Sequence, residues 1–502
     1  MTGQNRAVIL YELNEVPWSV VDYYVARRPR SHLAALLAGG QSLTTRHDDS
    51  PELQGLQPWR TWPTLHNSTY HHNSFDLGQD PATFRGDPIW TVAERAGLRV
   101  GLFGPLQSWP ARRFAHGGFY VPDTFSRDSV TVPTSLSRFQ AFNLAMTSEN
   151  NFTSDAALRP REILATGIDL VRHGLTVRSA RALTAHLTRE MRDRRYKSLR
   201  PAMQVLPCFD LYWRLHRKHR PQLSVFFTNH VASMMHRFWG DAMPGYTEAH
   251  HYVADEVYGE FISTAMDFTD RQLGRIRRYI AANPRTMLVI AASMGQGPVD
   301  PRFTDRSLFV LDDHRRLVAQ LGLPPAELGL TMYPHLSLVF ADDAAARDAV
   351  TPLRSVHIEG VGPLFSRFHV ECRTVTFAID NAIDEIDRAL DAVVVRYRGH
   401  DAPTDAVATP TQLGLVLRSR VGGDNTAYHI PQGMLLAYGA GVPRDPSRTE
   451  VDVLDVAPSL LANVLGVEPA QSMRGAATLF ANSAGSQAAP ERRVPVSGRQ
   501  AP

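Results

Sequence analysis

Short apolar runs alternate with stretches of helical periodicity along most of this chain. Val8–Leu13, Arg99–Phe103, Leu223–Thr228, Met287–Ala291 and Met434–Tyr438 each read as a buried strand. Ile89–Ala96 has helical spacing and stops at Gly97, which suits a helix C-cap. Ala249–Ala282 reads as one long helix, and Val453–Leu465 as another entered at Asp455. Such alternation predicts an α/β fold, with helices on both faces of a mainly parallel central sheet.

Two regions break the rhythm and are expected to be insertions. Residues 134–220 lack strand patterns and are helical and Arg-rich, as a lid or cap that attracts an anionic substrate, a membrane-surface patch or a plain solvated helical face would be. Between Arg172 and Arg220 stand 13 Arg or Lys against 3 Asp or Glu. Residues 330–401 hold strand-like pieces around a short helix, Ala344–Leu353, and read as a small α+β unit. The expected division is therefore core residues 1–133, 221–329 and 402–481 with the two insertions between them. The tail, 482–502, is rich in Ser, Ala, Pro and Arg and is expected to be disordered.

Composition narrows the class. At 502 residues with 43% hydrophobic and 21% charged positions, the chain has the make-up of a globular protein with a large core. A net charge of +3 is small for this length and argues against a dedicated nucleic-acid binder. No run approaches the roughly 20 apolar residues of a membrane span. Two cysteines, Cys208 and Cys372, make no disulfide framework, and the N-terminus lacks the build of a signal peptide, so a cytoplasmic location is expected. Composition says nothing about oligomeric state.

Three polar segments adjoin the predicted strands. Arg60-Thr61-Trp62-Pro63-Thr64 offers a threonine in a loop ahead of a helix start, which needs a metal or base to become a nucleophile. Thr228 to Trp239 follows a buried strand, where open α/β sheets place ligands, and offers His230 and His236. Asp424 to Gly433 precedes a strand and carries Asn425 and His429. Each segment alone also fits a structural role.

Taken in order, these motifs resemble the alkaline phosphatase superfamily, type I phosphodiesterase/nucleotide pyrophosphatase branch. The resemblance covers about 300 residues, in blocks near 5–125, 220–300 and 420–480. Thr61-Trp62-Pro63 matches the nucleophile segment, Gly78-Gln79-Asp80-Pro81 a following turn, and Gly86-Asp87-Pro88-Ile89-Trp90 through Gly97 the next block. Ala232 to His236, then Phe238-Trp239, matches the middle block, His429 and Gly433 the last metal-binding block, and Asp455 to Gly466 the closing helix. The family's Asp-Gly after the first strand falls on Asn14 and Glu15, and its Ser-Asp-His-Gly on Ala292-Ser293-Met294-Gly295.

The resemblance implies an alkaline-phosphatase-like sandwich with altered ligands. One family metal site would fall on Ala232, His236 and His429, the other on Asn14, Thr61, Ser293 and Met294. The first keeps two imidazoles and no carboxylate; the second keeps an amide and a hydroxyl. A divalent metal such as zinc is thus expected to be reduced or absent. Glu12, Glu15, His66, His71, His72 and His230 lie near the matched motifs and could rebuild a single-metal site or supply a base. The expected catalytic set is Thr61, His236 and His429, with Asn14, Ser293 and Asn425 binding substrate and Asn14, Thr61, His236 and His429 at the remaining metal positions. The implied activity is hydrolysis or transfer of a phosphoester, phosphodiester or sulfate ester group of a small anionic substrate. The alternative is an inactive relative that binds an anionic ligand or a partner protein.

Overall fold

The computed structural model describes residues 7–49, 56–70, 84–150, 160–299, 307–329, 331, 335–379, 393–400, 404–419 and 425–480. His71, His72, the Gly78–Pro81 turn and the tail 482–502 lie outside them. The largest sheet has eight strands: β1 (Ala7–Leu13), β2 (Gln41–Arg46), β3 (Val100–Phe103), β4 (Gly118–Val121), β5 (Leu223–Thr228), β6 (Thr286–Ala291), β7 (Gln432–Tyr438) and β8 (Asp445–Asp452). Their order is β8-β2-β7-β6-β1-β5-β3-β4. Only β7 runs against its neighbours, β2 and β6; the rest pair in parallel. The fold is therefore α/β with a mainly parallel sheet, as the alternation of elements predicts.

Alternation along the strands builds a core on each face. Ile9, Tyr11 and Leu13 of β1 point into one core with Leu288 and Ile290 of β6. The helices Val205–His219, His230–Ala242 and Phe261–Ala282 cover that face. Val8 and Leu10 point the other way, with Val289, towards Trp62 and Leu65 of helix Pro58–Asn67 and the C-terminal helical segment from Val456. A third core, drawn from Phe309 to Leu415, lies under two four-stranded sheets. Residues 134–220 contain helices only, among the described residues, including Val177–Arg192 and Val205–His219.

Two elements differ from the sequence reading. The helix expected from Ala249 begins only at Phe261. His251 takes a left-handed φ of 53°, and the Asp255 carboxylate accepts from the amides of Val257 and Tyr258, so a capped turn interrupts the periodicity. The Val453–Leu465 segment is helical throughout but passes from a 3₁₀ turn through one α turn to a π turn.

Burial in the main core sets a pH limit on the fold. His216, wedged against Trp213, and His230 are held neutral because burial disfavours their charged forms, lowering them from 6.5 to about 4 and about 3. Below pH 6.5 the unfolded chain takes up protons that the folded chain refuses, so stability falls with pH down towards those folded values. Each histidine costs about 2 kcal/mol by pH 5 relative to neutral pH. Denaturant titrations from pH 8 to 5 should show this decline, and His216→Gln should flatten it; an unchanged slope contradicts the assignment.

Candidate metal centre

The site lies beyond the carboxyl ends of β1, β5 and β6, where parallel strands leave a crevice. Leaving β1, the chain places Asn14 and Glu15, both 2% exposed. Glu15 has φ +60°, a left-handed conformation that costs a non-glycine residue on the order of 1 kcal/mol or more. A backbone conformation that favours glycine thus carries a carboxylate here, at the residue on which the sequence resemblance places a glycine. After β5 comes helix His230–Ala242, whose second turn carries His236. After β6, residues Gly295–Pro298 pair antiparallel with Ala427–Ile430, which sets His429 opposite Gln296. This ribbon is tied to the helix: the Thr426 amide donates to the His236 carbonyl at 2.7 Å, and the Gly240 amide to Thr426 Oγ1 at 3.0 Å.

These elements converge on the Glu15 carboxylate. Its Oε2 lies 3.0 Å from His236 Nε2 and 3.4 Å from His429 Nε2. Gln296 Nε2 donates to the same oxygen at 2.5 Å, and Asn14 Nδ2 donates to Oε1 at 2.7 Å. Burial would push this carboxyl up, but the imidazoles of His429 and His236 overrule it and hold Glu15 well below the usual carboxylate range.

The far side of each ring fixes its tautomer. His236 Nδ1 faces the Ala427 carbonyl at 3.1 Å, and His429 Nδ1 faces the Leu56 carbonyl at 2.7 Å. Carbonyl oxygens only accept, so both Nδ1 atoms carry hydrogen. A neutral ring then presents an Nε2 lone pair to Glu15. Two lone pairs facing a carboxylate repel it unless both rings are protonated or a cation sits among the three atoms. The second arrangement fits a divalent metal. Glu15, His236 and His429 offer three ligand atoms within 4.8 Å of one another. Tetrahedral zinc bonds place neighbouring ligand atoms roughly 3.3 Å apart. The Nδ1–H groups on backbone carbonyls are the outer contacts that metal-binding histidines use. His236 keeps 24% of its side chain exposed, against 6% for His429, so solvent reaches the cluster from the His236 side.

The expected site residues divide. His236 and His429 meet in the cluster. Glu15 joins them and supplies the carboxylate that the expected His236–His429 site lacked. Asn14 does not present its oxygen as a ligand: Trp62 Nε1 is a donor and takes Oδ1 at 2.7 Å, while the Asn14 amide donates to Glu15 and to Asn229 Oδ1. Thr61 stands within helix Pro58–Asn67 rather than in a loop. Pro58 opens that helix and the Thr61 amide already bonds the Gln57 carbonyl. Its hydroxyl is fully buried and shares a hydrogen bond of 2.7 Å with Ser293 Oγ. Asn425 is half-buried, and no hydrogen bond of its side chain reaches the cluster. Met294 is buried in the turn after β6. His230 turns away, bonding Thr228 Oγ1, the Ala265 carbonyl and Thr269 Oγ1. His66 pairs with Glu12 at 2.6 Å beneath the site, both essentially inaccessible. Gln296 and Asn229 were not singled out in the sequence; a polar residue one place beyond the altered Ser-Asp-His-Gly turn was the available signal for Gln296.

No family model matches the chain, and no curated protein matches it. Among solved structures, murine ectonucleotide pyrophosphatase/phosphodiesterase 5 is similar over 93% of this chain and 96% of that one, at 11% identity and a TM-score of 0.40. An inactive form of the same murine protein, in complex with AMP, covers the same shares at a TM-score of 0.35. A mutant of the alkaline phosphatase PafA is similar over 96% of this chain and 100% of that one, at 10% identity and a TM-score of 0.42.

Proposed function

We propose that this chain is a hydrolase of small phosphate or sulfate esters working with one divalent metal, held by Glu15, His236 and His429. The observation that carries this reading is the Glu15 carboxylate meeting two Nε2 atoms whose rings are both anchored through Nδ1 to backbone carbonyls. Two histidines and one carboxylate are a ligand set used by catalytic zinc, which leaves a fourth position open. A cation there supplies Lewis acidity to an ester oxygen. The ester class rests on the sequence resemblance.

The chain's own residues divide the remaining tasks. Gln296 and Asn14 hold the Glu15 carboxylate in place from either oxygen. Trp62 fixes the Asn14 amide, and through it the register of helix Pro58–Asn67 against the site. The exposed edge of His236 faces the side from which substrate arrives. Thr61 is the nucleophile candidate if its bond to Ser293 opens.

Turnover of a chromogenic phosphodiester should be detectable, be abolished by chelation, return with added zinc, and fall at least about 100-fold in His429→Ala. Turnover indifferent to chelation overturns the reading. Full turnover in Thr61→Ala removes the nucleophile assignment alone. The burial of Thr61 favours a second reading, a non-catalytic relative that binds an anionic ligand through the same cluster. Metal binding without turnover on phosphate or sulfate esters selects it.

A further inference from the structure

We propose that the outward face of helix Val177–Arg192, with the end of the helix before it, docks on anionic phospholipid membranes. Ser179 and His186 are buried and mark the inner face of this helix. The opposite face, at 100° per residue, carries Val177, Leu187 and Met191 along one flank and Arg178, Arg181 and Arg192 along the other. Ile168 and Val171, in the last turns of the preceding helix Pro160–His173, are exposed as well. These five apolar side chains are between 47% and 81% exposed, Met191 the most.

Charge on this face is of one sign. Arg172, Arg178, Arg181, Arg189, Arg192 and Arg194 are exposed, and none has a carboxylate partner among the described residues. The nearby carboxylates are already engaged: Asp169 with His173, Glu190 with Arg200 and His186, Asp193 with Arg195. Unpaired arginines beside exposed Met, Leu and Val over a helix of 16 residues, roughly 24 Å, match a surface that offers both anionic headgroups and acyl chains. A nucleic acid would satisfy the arginines and leave the apolar flank in water.

Co-sedimentation of the full chain with vesicles tests this. Binding is expected to phosphatidylcholine vesicles doped with phosphatidylserine, and not to phosphatidylcholine alone. It should weaken with salt, and about fivefold for each of Arg178→Gln, Arg181→Gln and Arg192→Gln. The charge-neutral pair Leu187→Ser and Met191→Ser should reduce it at least as much. No binding to the doped vesicles overturns the proposal, and so does undiminished binding by the serine pair. Duplex DNA retained equally by parent and serine pair, with no vesicle binding, assigns the face to nucleic acid instead.

Discussion

Zinc added to metal-stripped protein is expected to raise its thermal midpoint, and Glu15→Gln is expected to abolish the rise. A ligand that binds only the folded state stabilises it by about 4 kcal/mol at a thousand times its dissociation constant. Differential scanning in zinc-titrated buffer reads this directly. The glutamine keeps the size of Glu15: its one carbonyl oxygen still accepts from Asn14, and its NH2 group, standing where Oε2 was, is matched when the Gln296 amide turns its oxygen towards it. What it removes is the charge that balances His236 and His429. Metal-stripped Glu15→Gln should lose little stability by this account, since the left-handed backbone at residue 15 is strained in both. If zinc protects Glu15→Gln as well as it protects the parent, the carboxylate is not a ligand.

Replacing Trp62 with Ala should be among the most damaging single changes in the chain. Trp62 is fully buried, packs edge-on against Phe227 and beside His66, and donates to Asn14 Oδ1. Removing an aromatic of this size from a core costs about 3–5 kcal/mol. Trp62→Phe keeps most of the packing and loses the donor, leaving a buried amide oxygen unmatched at about 1–3 kcal/mol. Chemical denaturation of both variants separates the two terms. The phenylalanine variant should also weaken zinc binding, because Asn14 loses the contact that aims its amide at Glu15. Equal stability in the two variants would show that packing at residue 62 is immaterial.

Five of the eight strands of the main sheet, β1, β3, β5, β6 and β7, were legible because they are buried on both faces and read as continuous apolar runs. The polar β2, the short β4 and the largely exposed β8 carried no such run. Leu223–Thr228 falls on the same residues in sequence and structure, and Val8–Leu13 differs only by Ala7. The direction of β7 was not legible, since an apolar run carries no sign of whether its neighbours run with it. The helix from Ala249 was misread because apolar residues keep helical spacing across the Asp255 turn, which is set by a side-chain cap rather than by periodicity.

At the site, His236 and His429 stood out as imidazoles beside matched motifs. The part played by Glu15 was harder to see. Alignment put it on a glycine, a position whose usual meaning is backbone freedom, and only the structure shows the side chain returning into the ligand space. The resemblance places the family's acidic position on Asn14, whereas in this chain the carboxylate stands one residue on, at Glu15, and Asn14 orients it. For Thr61 the segment was matched, but no pattern in it foretold the helix that holds it or the hydrogen bond it shares with Ser293.

The most direct test of the central claim is metal stoichiometry by elemental analysis after equilibrium dialysis against zinc. The Glu15–His236–His429 centre predicts one zinc per chain, falling to none in a His236→Ala, His429→Ala double variant that remains folded. Two zinc ions per chain, or one retained by the double variant, would contradict it.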